Sequence, residues 1–206
     1  GATRLGGNSL SDLFFFGTRA GEHAAHRARN LAPPPIDEDQ VKAAIATMLE
    51  PLERGEGENP GLIYDEMRDM MQAKVGIIRT KDELEEALED LKAFRARADA
   101  CFPGTDRRYN SGWHQALDLV NMADISTVAA LAALTREESR GGHTRDDFPV
   151  PDEDHWGQHL NIVWMEDGDI KIRQERVEPI RQDLQVALDE VKAMIKERAE
   201  QQGGGK

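Results

Sequence analysis

The segment GWHQALDLVNMADISTVAALAALTREE, residues 112–138, is the most apolar helical pattern in the chain. Its large apolar residues recur mostly three positions apart, with one gap of five, which is close to the period of one face of an α-helix. These residues are Leu117, Val120, Ile125, Val128, Leu131 and Leu134. The pattern predicts a helix from Gly112 to about Glu138, and we expect the six side chains to face a hydrophobic core.

Three shorter segments, 37–54, 62–75 and 81–101, precede it and show the same periodicity. The side chains expected to face inward are Val41, Ala44, Ile45, Met48, Leu49 and Leu52 in the first; Met67, Met70, Met71 and Val75 in the second; and Leu84, Leu88, Leu91 and Phe94 in the third. Four amphipathic helices joined by short connections predict an antiparallel helical bundle.

Other elements flank the predicted bundle. A helix is predicted over 8–29, with an apolar face formed by Leu10, Leu13, Phe14, Gly17 and Gly21, and the prolines at 33–35 break it from the bundle. Alternating apolar residues on both sides of Asp167-Gly168 predict a β-hairpin over 160–175, and 179–201 reads as a last helix. The fold class is therefore mainly α: an antiparallel bundle with a small β-hairpin, preceded by a loop and helix from another domain. We expect units at 1–35, 36–140 and 141–206.

Composition narrows the function classes. The net charge is −13, which disfavours nucleic acid as a partner because phosphate binding needs clustered Lys and Arg. The single cysteine, Cys101, cannot ligate an iron–sulfur cluster by itself. The longest uninterrupted apolar runs, 13–16 and 128–134, are shorter than the roughly 20 residues of a membrane span. Because the chain has no initiating Met, we expect it to be a part of a longer protein.

The first motif with chemical potential is GATRLGGNSL, residues 1–10, which places Arg4 on a glycine-rich loop directly before a helix start. A helix N-terminus favours an anion, and the planar guanidinium matches a carboxylate. From the residues alone two interpretations stay open: a capped helix with a surface arginine, or a ligand-binding loop.

The second motif is REESRGGHTRDDFP, residues 136–149. It fits an ion-paired loop that packs one domain on another, while His143 could also be a ligand or a proton carrier. His155 and His159 have the i, i+4 spacing of a metal-binding pair, but no Cys or acidic set accompanies them, and we predict no metal site.

Both motifs resemble the flavoprotein subunits of succinate dehydrogenase and fumarate reductase. The opening GATRLGGNSL and the following FGTRAG (16–21) are similar to the last FAD-contacting stretch of that family, while MQAKVGIIR (71–79) and ESRGGHTRDDFP (138–149) are similar to its later segments. The resemblance implies FAD as cofactor, Arg4 as a ligand of a dicarboxylate substrate, and Ser9 and Leu10 against the isoalloxazine ring. Thr3 departs from the family's commoner Asn. No catalytic residue of the family falls within this chain, so we expect it to be inactive alone.

The resemblance also implies interconversion of succinate and fumarate, with electrons passing through an iron–sulfur subunit and membrane anchor subunits to quinone. The protein would then lie peripherally on the cytoplasmic side of the plasma (inner) membrane, held there by its partners. L-aspartate oxidase is an alternative relative, although Arg145, Asp154 and Trp156 resemble the dehydrogenase and reductase branch better; adenylylsulfate reductase is more remote. A non-enzymatic helical interaction module is an alternative from a different class.

Overall fold

The computed structural model describes residues 8–203, except for the side chains of residues 8, 192 and 195–203. The elements, in chain order, are α1 (Asn8–Asn30), α2 (Glu38–Glu53), α3 (Pro60–Lys74), α4 (Lys81–Ala100), α5 (Ser111–Thr135), β1 (His159–Glu166), β2 (Asp169–Arg176) and α6 (Gln182–Gly203). The predicted fold class, mainly α with a β-hairpin, is confirmed, and most helix ends lie within a few residues of their predicted positions.

Local sequence sets where the helices begin. The side chains of Asp37, Asn59 and Asn110 each accept a hydrogen bond from a backbone N–H in the first turn of α2, α3 and α5. Thr80 and Glu83 form a reciprocal capping box at the start of α4. Since the first N–H groups of a helix have no partner within the helix, these side chains satisfy them and fix the starting residue.

The core lies between α3, α4 and α5. Lys74 at the end of α3 pairs with Asp90 in the middle of α4 at 2.7 Å, while Arg97 near the end of α4 pairs with Glu66 in the middle of α3, also at 2.7 Å. Consecutive helices joined in this way are antiparallel. Fully buried side chains from all three helices form the core, among them Ile63, Met67, Leu84, Ala87, Leu91, Leu119, Ala123 and Ala130.

The face that α5 buries differs from the predicted one. Ile125 was expected to face inward but is 68% exposed, and the other five large residues of the pattern are only half-buried. The buried positions are Ala116, Leu119, Ala123, Ala130 and Ala133. Small side chains allow two helix backbones to approach closely, so α5 presents its alanine face to its neighbours and leaves its bulkier residues at the flanks.

The predicted inward face of α2 is also wrong in part. Val41, Ile45 and Met48 are exposed, and Leu52 is the one residue of that predicted face that is buried. The α2 helix meets the bundle at its C-terminal end, where the indole Nε1 of Trp113 donates a 2.6 Å hydrogen bond to the carbonyl of Met48. Among the residues that the structure describes, the core is therefore built by three helices, with α2 at its border.

By length and composition α5 could cross a membrane, because an 18-residue window within it reaches a mean hydropathy of 1.5. Uninterrupted apolar runs alone underestimate the hydropathy of α5. Isolated Ser, Asn and Asp residues divide this otherwise apolar helix into short runs. In this structure α5 is the central bundle helix, in contact with α3, α4 and the hairpin.

The β-hairpin forms where the Asp-Gly pair predicts it. Asp167 and Gly168 have φ values of 55° and 86°, the left-handed conformation that a tight two-residue hairpin turn requires. The strands pair from Glu166 with Asp169 out to His159 with Arg176. The hairpin rests on α5, and the side-chain amide of Asn161 donates to the Ala132 carbonyl at 3.0 Å.

Candidate functional site

The predicted flavin-facing residues lie in the first turn of α1. Leu10 is 57% exposed and Ser9 is half-buried, so neither belongs to the bundle core. Arg4, the predicted substrate ligand, lies outside the described residues. The position of Ser9 and Leu10 at a helix N-terminus is the one in which backbone N–H groups and the helix dipole favour negative charge.

The apolar face of α1 lies open. Leu13 and Phe14 are both strongly exposed, Phe14 at 76%. A Cβ atom built at Gly17 or at Gly21 would meet no atom within 4 Å. The sequence predicted this face as a packing surface, and no described part of the chain covers it. A contiguous apolar surface of this kind is typical of a site for another protein part or for a ligand.

The second motif builds a buried polar network centred on Arg145, whose side chain is 1% exposed. Its Nε and Nη2 atoms donate to the two carboxylate oxygens of Asp147 at 2.7 and 2.6 Å. Its Nη1 atom donates to the carbonyls of Ala133 and Leu134 at 3.0 and 3.1 Å. Arg145 therefore satisfies the last carbonyls of α5, which have no partner within the helix.

Asp147 extends the network to a second helix end. Its Oδ2 atom accepts a 3.0 Å hydrogen bond from the backbone N–H of Lys81, the first residue of α4. The hydrogen bond from Arg145 holds the pKa of the Asp147 carboxyl below its usual value. One arginine and one aspartate thus join the end of α5 to the start of α4, each with the charge sign that the helix dipole favours.

His143 occupies the centre of a group of arginines. Its Nδ1 atom lies 3.1 Å from Nη1 of Arg79, and its Nε2 atom lies 3.1 Å from the carbonyl of Arg136. Because a guanidinium can only donate and a carbonyl can only accept, the ring must be neutral with its proton on Nε2. Burial, together with the charges of Arg79, Arg145 and Arg136, lowers the pKa of His143.

Glu138 is a fully buried carboxylate between two arginines. It accepts hydrogen bonds from Arg136, from Nε of Arg140 at 3.0 Å, and from the backbone N–H of Asp152 at 2.8 Å. Burial alone would raise the pKa of Glu138, but the hydrogen bonds from Arg140, Asp152 and Arg136 outweigh it, and the pKa is lowered. The guanidinium of Arg136 also stacks 4.9 Å from the ring centroid of Trp156, which anchors the segment leading into β1.

The geometry of this network indicates a structural role. Both ring nitrogens of His143 are engaged, and the carboxylates of Glu138 and Asp147 accept from arginines, so these side chains hold the loop to the bundle. His143 and the motif's arginines were singled out from the sequence. Arg79 was noted only as the last residue of the segment 71–79, and its pairing with His143, 64 positions away, was not predicted. Glu138 lies three residues after the end of α5. An acidic residue so close to a buried helix was the signal in the sequence that could have indicated its buried role.

The two histidines with metal-like spacing stack on each other instead. The rings of His155 and His159 lie 4.6 Å apart, and Nδ1 of His159 donates a 2.7 Å hydrogen bond to the carbonyl of His155. Within residues 8–203 as described, no group of three or more His, Cys, Asp or Glu side chains could hold a metal ion.

The chain is similar to flavoprotein subunits of succinate dehydrogenase and fumarate reductase. A family model described as fumarate reductase flavoprotein C-term matches residues 64–199. The succinate dehydrogenase flavoprotein subunit of Coxiella burnetii is 34% identical over 181 residues, which cover 87% of this chain and 30% of that protein. The fumarate reductase flavoprotein subunit of Mycobacterium tuberculosis is 34% identical over 180 residues, covering 84% of this chain and 31% of that protein.

Among solved structures, a chain of the Mycobacterium smegmatis Sdh1 complex in the apo form is similar at a TM-score of 0.77 and 42% identity. The match covers 88% of this chain and 32% of that one. The chain thus spans about 30% of the length of the relatives that it matches.

Proposed function

The chain belongs to the family of fumarate reductase flavoprotein C-terminal domains, and on that premise we propose that it is the C-terminal part of a succinate dehydrogenase or fumarate reductase flavoprotein subunit. The observation that carries this proposal is the family match together with the open face of α1, which begins with the predicted flavin-facing residues. In this assignment residues 1–35 end the FAD-binding domain, 36–140 form the helical bundle and 141–206 form a C-terminal segment.

The first turn of α1 has the properties that a flavin ring requires of its surroundings. Leu10 offers an exposed apolar side chain for a flat ring, and Ser9 beside it offers a hydroxyl. The N-terminal end of α1 favours negative charge, so it would stabilise a reduced, anionic ring. When bound, FAD supplies the two-electron redox chemistry of the reaction.

Arg4 is proposed to hold one carboxylate of the dicarboxylate substrate. A guanidinium donates two parallel hydrogen bonds to a carboxylate, which fixes both the position and the orientation of the substrate. Its place four residues before α1 would put the substrate beside the same ring that Ser9 and Leu10 contact. The bundle and the Arg145 network would act by holding the polypeptide rigid behind this site.

The remaining parts of the proposal concern the assembly. The M. smegmatis neighbour is a chain of a complex, which supports an iron–sulfur subunit and membrane anchor subunits as partners here. Peripheral association with the cytoplasmic side of a membrane through those partners follows from the same proposal. The one cysteine of these 206 residues cannot by itself hold an iron–sulfur cluster, which is consistent with an iron–sulfur subunit as the proposed partner.

Steady-state kinetics of the full-length protein test the proposal. We expect Arg4→Lys to lower kcat/KM for succinate and for fumarate by roughly a hundredfold or more, because an ammonium cannot replace a two-pronged contact. The flavin content should be unchanged. Arg27→Lys, at the far end of α1, is the matched control and should leave the kinetics unaltered.

Unchanged kinetics in Arg4→Lys would refute the role given to Arg4. Oxidation of L-aspartate without turnover of succinate would favour the aspartate oxidase alternative. A full-length protein that binds no flavin would favour the non-enzymatic interaction module.

A further inference from the structure

A groove of about 920 Å³ runs between α4, α5 and the tip of the β-hairpin. Its floor is apolar: Leu88 and Leu131 from the two helices and Ile170 from β2 are half-buried there, above the fully buried Leu91. A further helix could pack in this groove against both α4 and α5. Among the described residues, no helix of the chain lies there.

The rim of the groove is strongly acidic. Five acidic side chains and two basic ones line it. The acidic residues are Glu85, Glu86, Glu89, Asp124 and Asp169, and the basic residues are Lys92 and Arg95. Arg95 is already paired with Asp124 at 3.0 Å, so it does not offset the remaining carboxylates.

Two of the rim carboxylates, Glu85 and Glu89, are available to a partner, while Glu86 is held by Lys74 at 3.1 Å. Glu85 and Glu89 pair with Lys81 and Lys92 at 3.6 and 2.6 Å, but all four side chains are largely exposed. Exposed ion pairs of this kind contribute little free energy, so an incoming cation can replace the lysines at small cost.

We propose that this groove binds a basic amphipathic helix of a partner protein. Apolar side chains of that helix would insert over Leu88, Leu131 and Ile170, and its Lys or Arg residues would pair with Glu85 and Glu89. The wall formed by α4 runs from Glu85 to Arg95, and ten residues of helix rise about 15 Å, so the bound segment would be about three turns long.

This inference does not depend on the redox activity proposed above. The negative rim excludes nucleic acids and anionic membrane surfaces as occupants, since both would meet like charge. An interface of three helical turns is small, so we expect weak, reversible binding with a Kd in the micromolar range and a marked dependence on salt.

A binding experiment with a defined probe tests the proposal. The probe is a fluorescein-labelled 18-residue peptide of leucine and lysine, with its leucines arranged along one helical face, titrated with the full-length protein while fluorescence anisotropy is recorded. The double variant Glu85→Lys/Glu89→Lys should bind the peptide about tenfold more weakly or worse, because two attractive contacts become repulsive. Circular dichroism checks that the variant is folded.

The matched control is Glu53→Lys/Glu56→Lys. It changes the net charge by the same amount at two exposed acidic residues that do not line the groove, and it should alter Kd less than twofold. Equal weakening in both double variants would show a general attraction to an acidic protein and would overturn the proposal. Failure of the peptide to bind, or equal binding of a peptide with glutamate in place of lysine, would overturn it as well.

Discussion

Replacing Arg145 by alanine should strongly destabilise the fold. The substitution removes two hydrogen bonds to Asp147 and leaves the carbonyls of Ala133 and Leu134 without their donor. Each buried carbonyl left unsatisfied costs about 1–3 kcal/mol. The carboxylate of Asp147 is partly exposed, so loss of its partner adds only about 1 kcal/mol. These terms add up to about 3–7 kcal/mol. Because the contact with the Leu134 carbonyl is only partly buried, we expect the lower part of that range, about 3–5 kcal/mol, as found when one member of a buried ion pair is removed.

Urea unfolding of the 206-residue chain, followed by far-UV circular dichroism, measures this loss. With a slope of about 2 kcal/mol per molar urea, the midpoint should fall by roughly 2 M. Arg145→Lys keeps the charge but cannot reach both Asp147 and the helix carbonyls, so its loss should be about half as large.

The matched control is Arg173→Ala on the hairpin. Arg173 is also paired with a carboxylate and stacked on an aromatic ring, but its side chain is 61% exposed. Its loss should cost no more than about 0.5 kcal/mol. If the midpoint of Arg145→Ala shifts no further than that of Arg173→Ala, the bracing role of Arg145 is refuted.

Three further predictions follow from the same structure. Because the pKa of His143 is lowered in the folded state, the stability linked to it is complete above the unfolded pKa of 6.5 and is lost as the pH falls toward the folded pKa. The loss between pH 7.5 and 5.5 is at most about 1.4 kcal/mol, reduced by solvent at this half-buried site, and should vanish in His143→Gln. Glu138→Gln should cost about 2–4 kcal/mol because it leaves two arginines facing a neutral group. Gly17→Ala should raise the helix content of the 206-residue chain, since alanine favours a helix by up to about 1 kcal/mol and meets no atom there. In the full-length protein we propose that the rest of the FAD-binding domain covers this face of α1. The added methyl group should disturb that packing and lower the flavin content.

Each of these has a control in the chain. Stability measured at a series of pH values in the wild type and in His143→Gln isolates the histidine, and identical profiles would contradict its assignment. Glu137→Gln changes an exposed neighbour of Glu138 and should be close to neutral in urea unfolding. Unchanged flavin content in the full-length Gly17→Ala variant would argue that nothing packs on the open face of α1.

Predictions that rest on residues close together in the sequence were confirmed more often than predictions that depend on contacts between distant parts of the chain. The Asp167-Gly168 turn was predicted from the sequence because a turn signal acts within four residues of chain. The capping roles of Asp37 and Thr80 act over a similarly short distance but were found only in the structure. The inward face of α5 was not, because hydrophobicity marks Ile125 as a core residue while close helix contact selects Ala123 instead. The roles of Arg4, Ser9 and Leu10 came from family resemblance and remain predictions.

The amino-acid sequence by itself determined the positions of the helices, the hairpin and the family to which the chain belongs, since these depend on local backbone preferences and on short motifs. The tertiary structure alone decided which helix faces are buried and that Arg145, Asp147 and Glu138 join the ends of α4 and α5 to the loop that follows. The physical reason is that burial and ion pairing depend on neighbours in space. Arg79 meets His143 across 64 residues, a contact that no local pattern encodes.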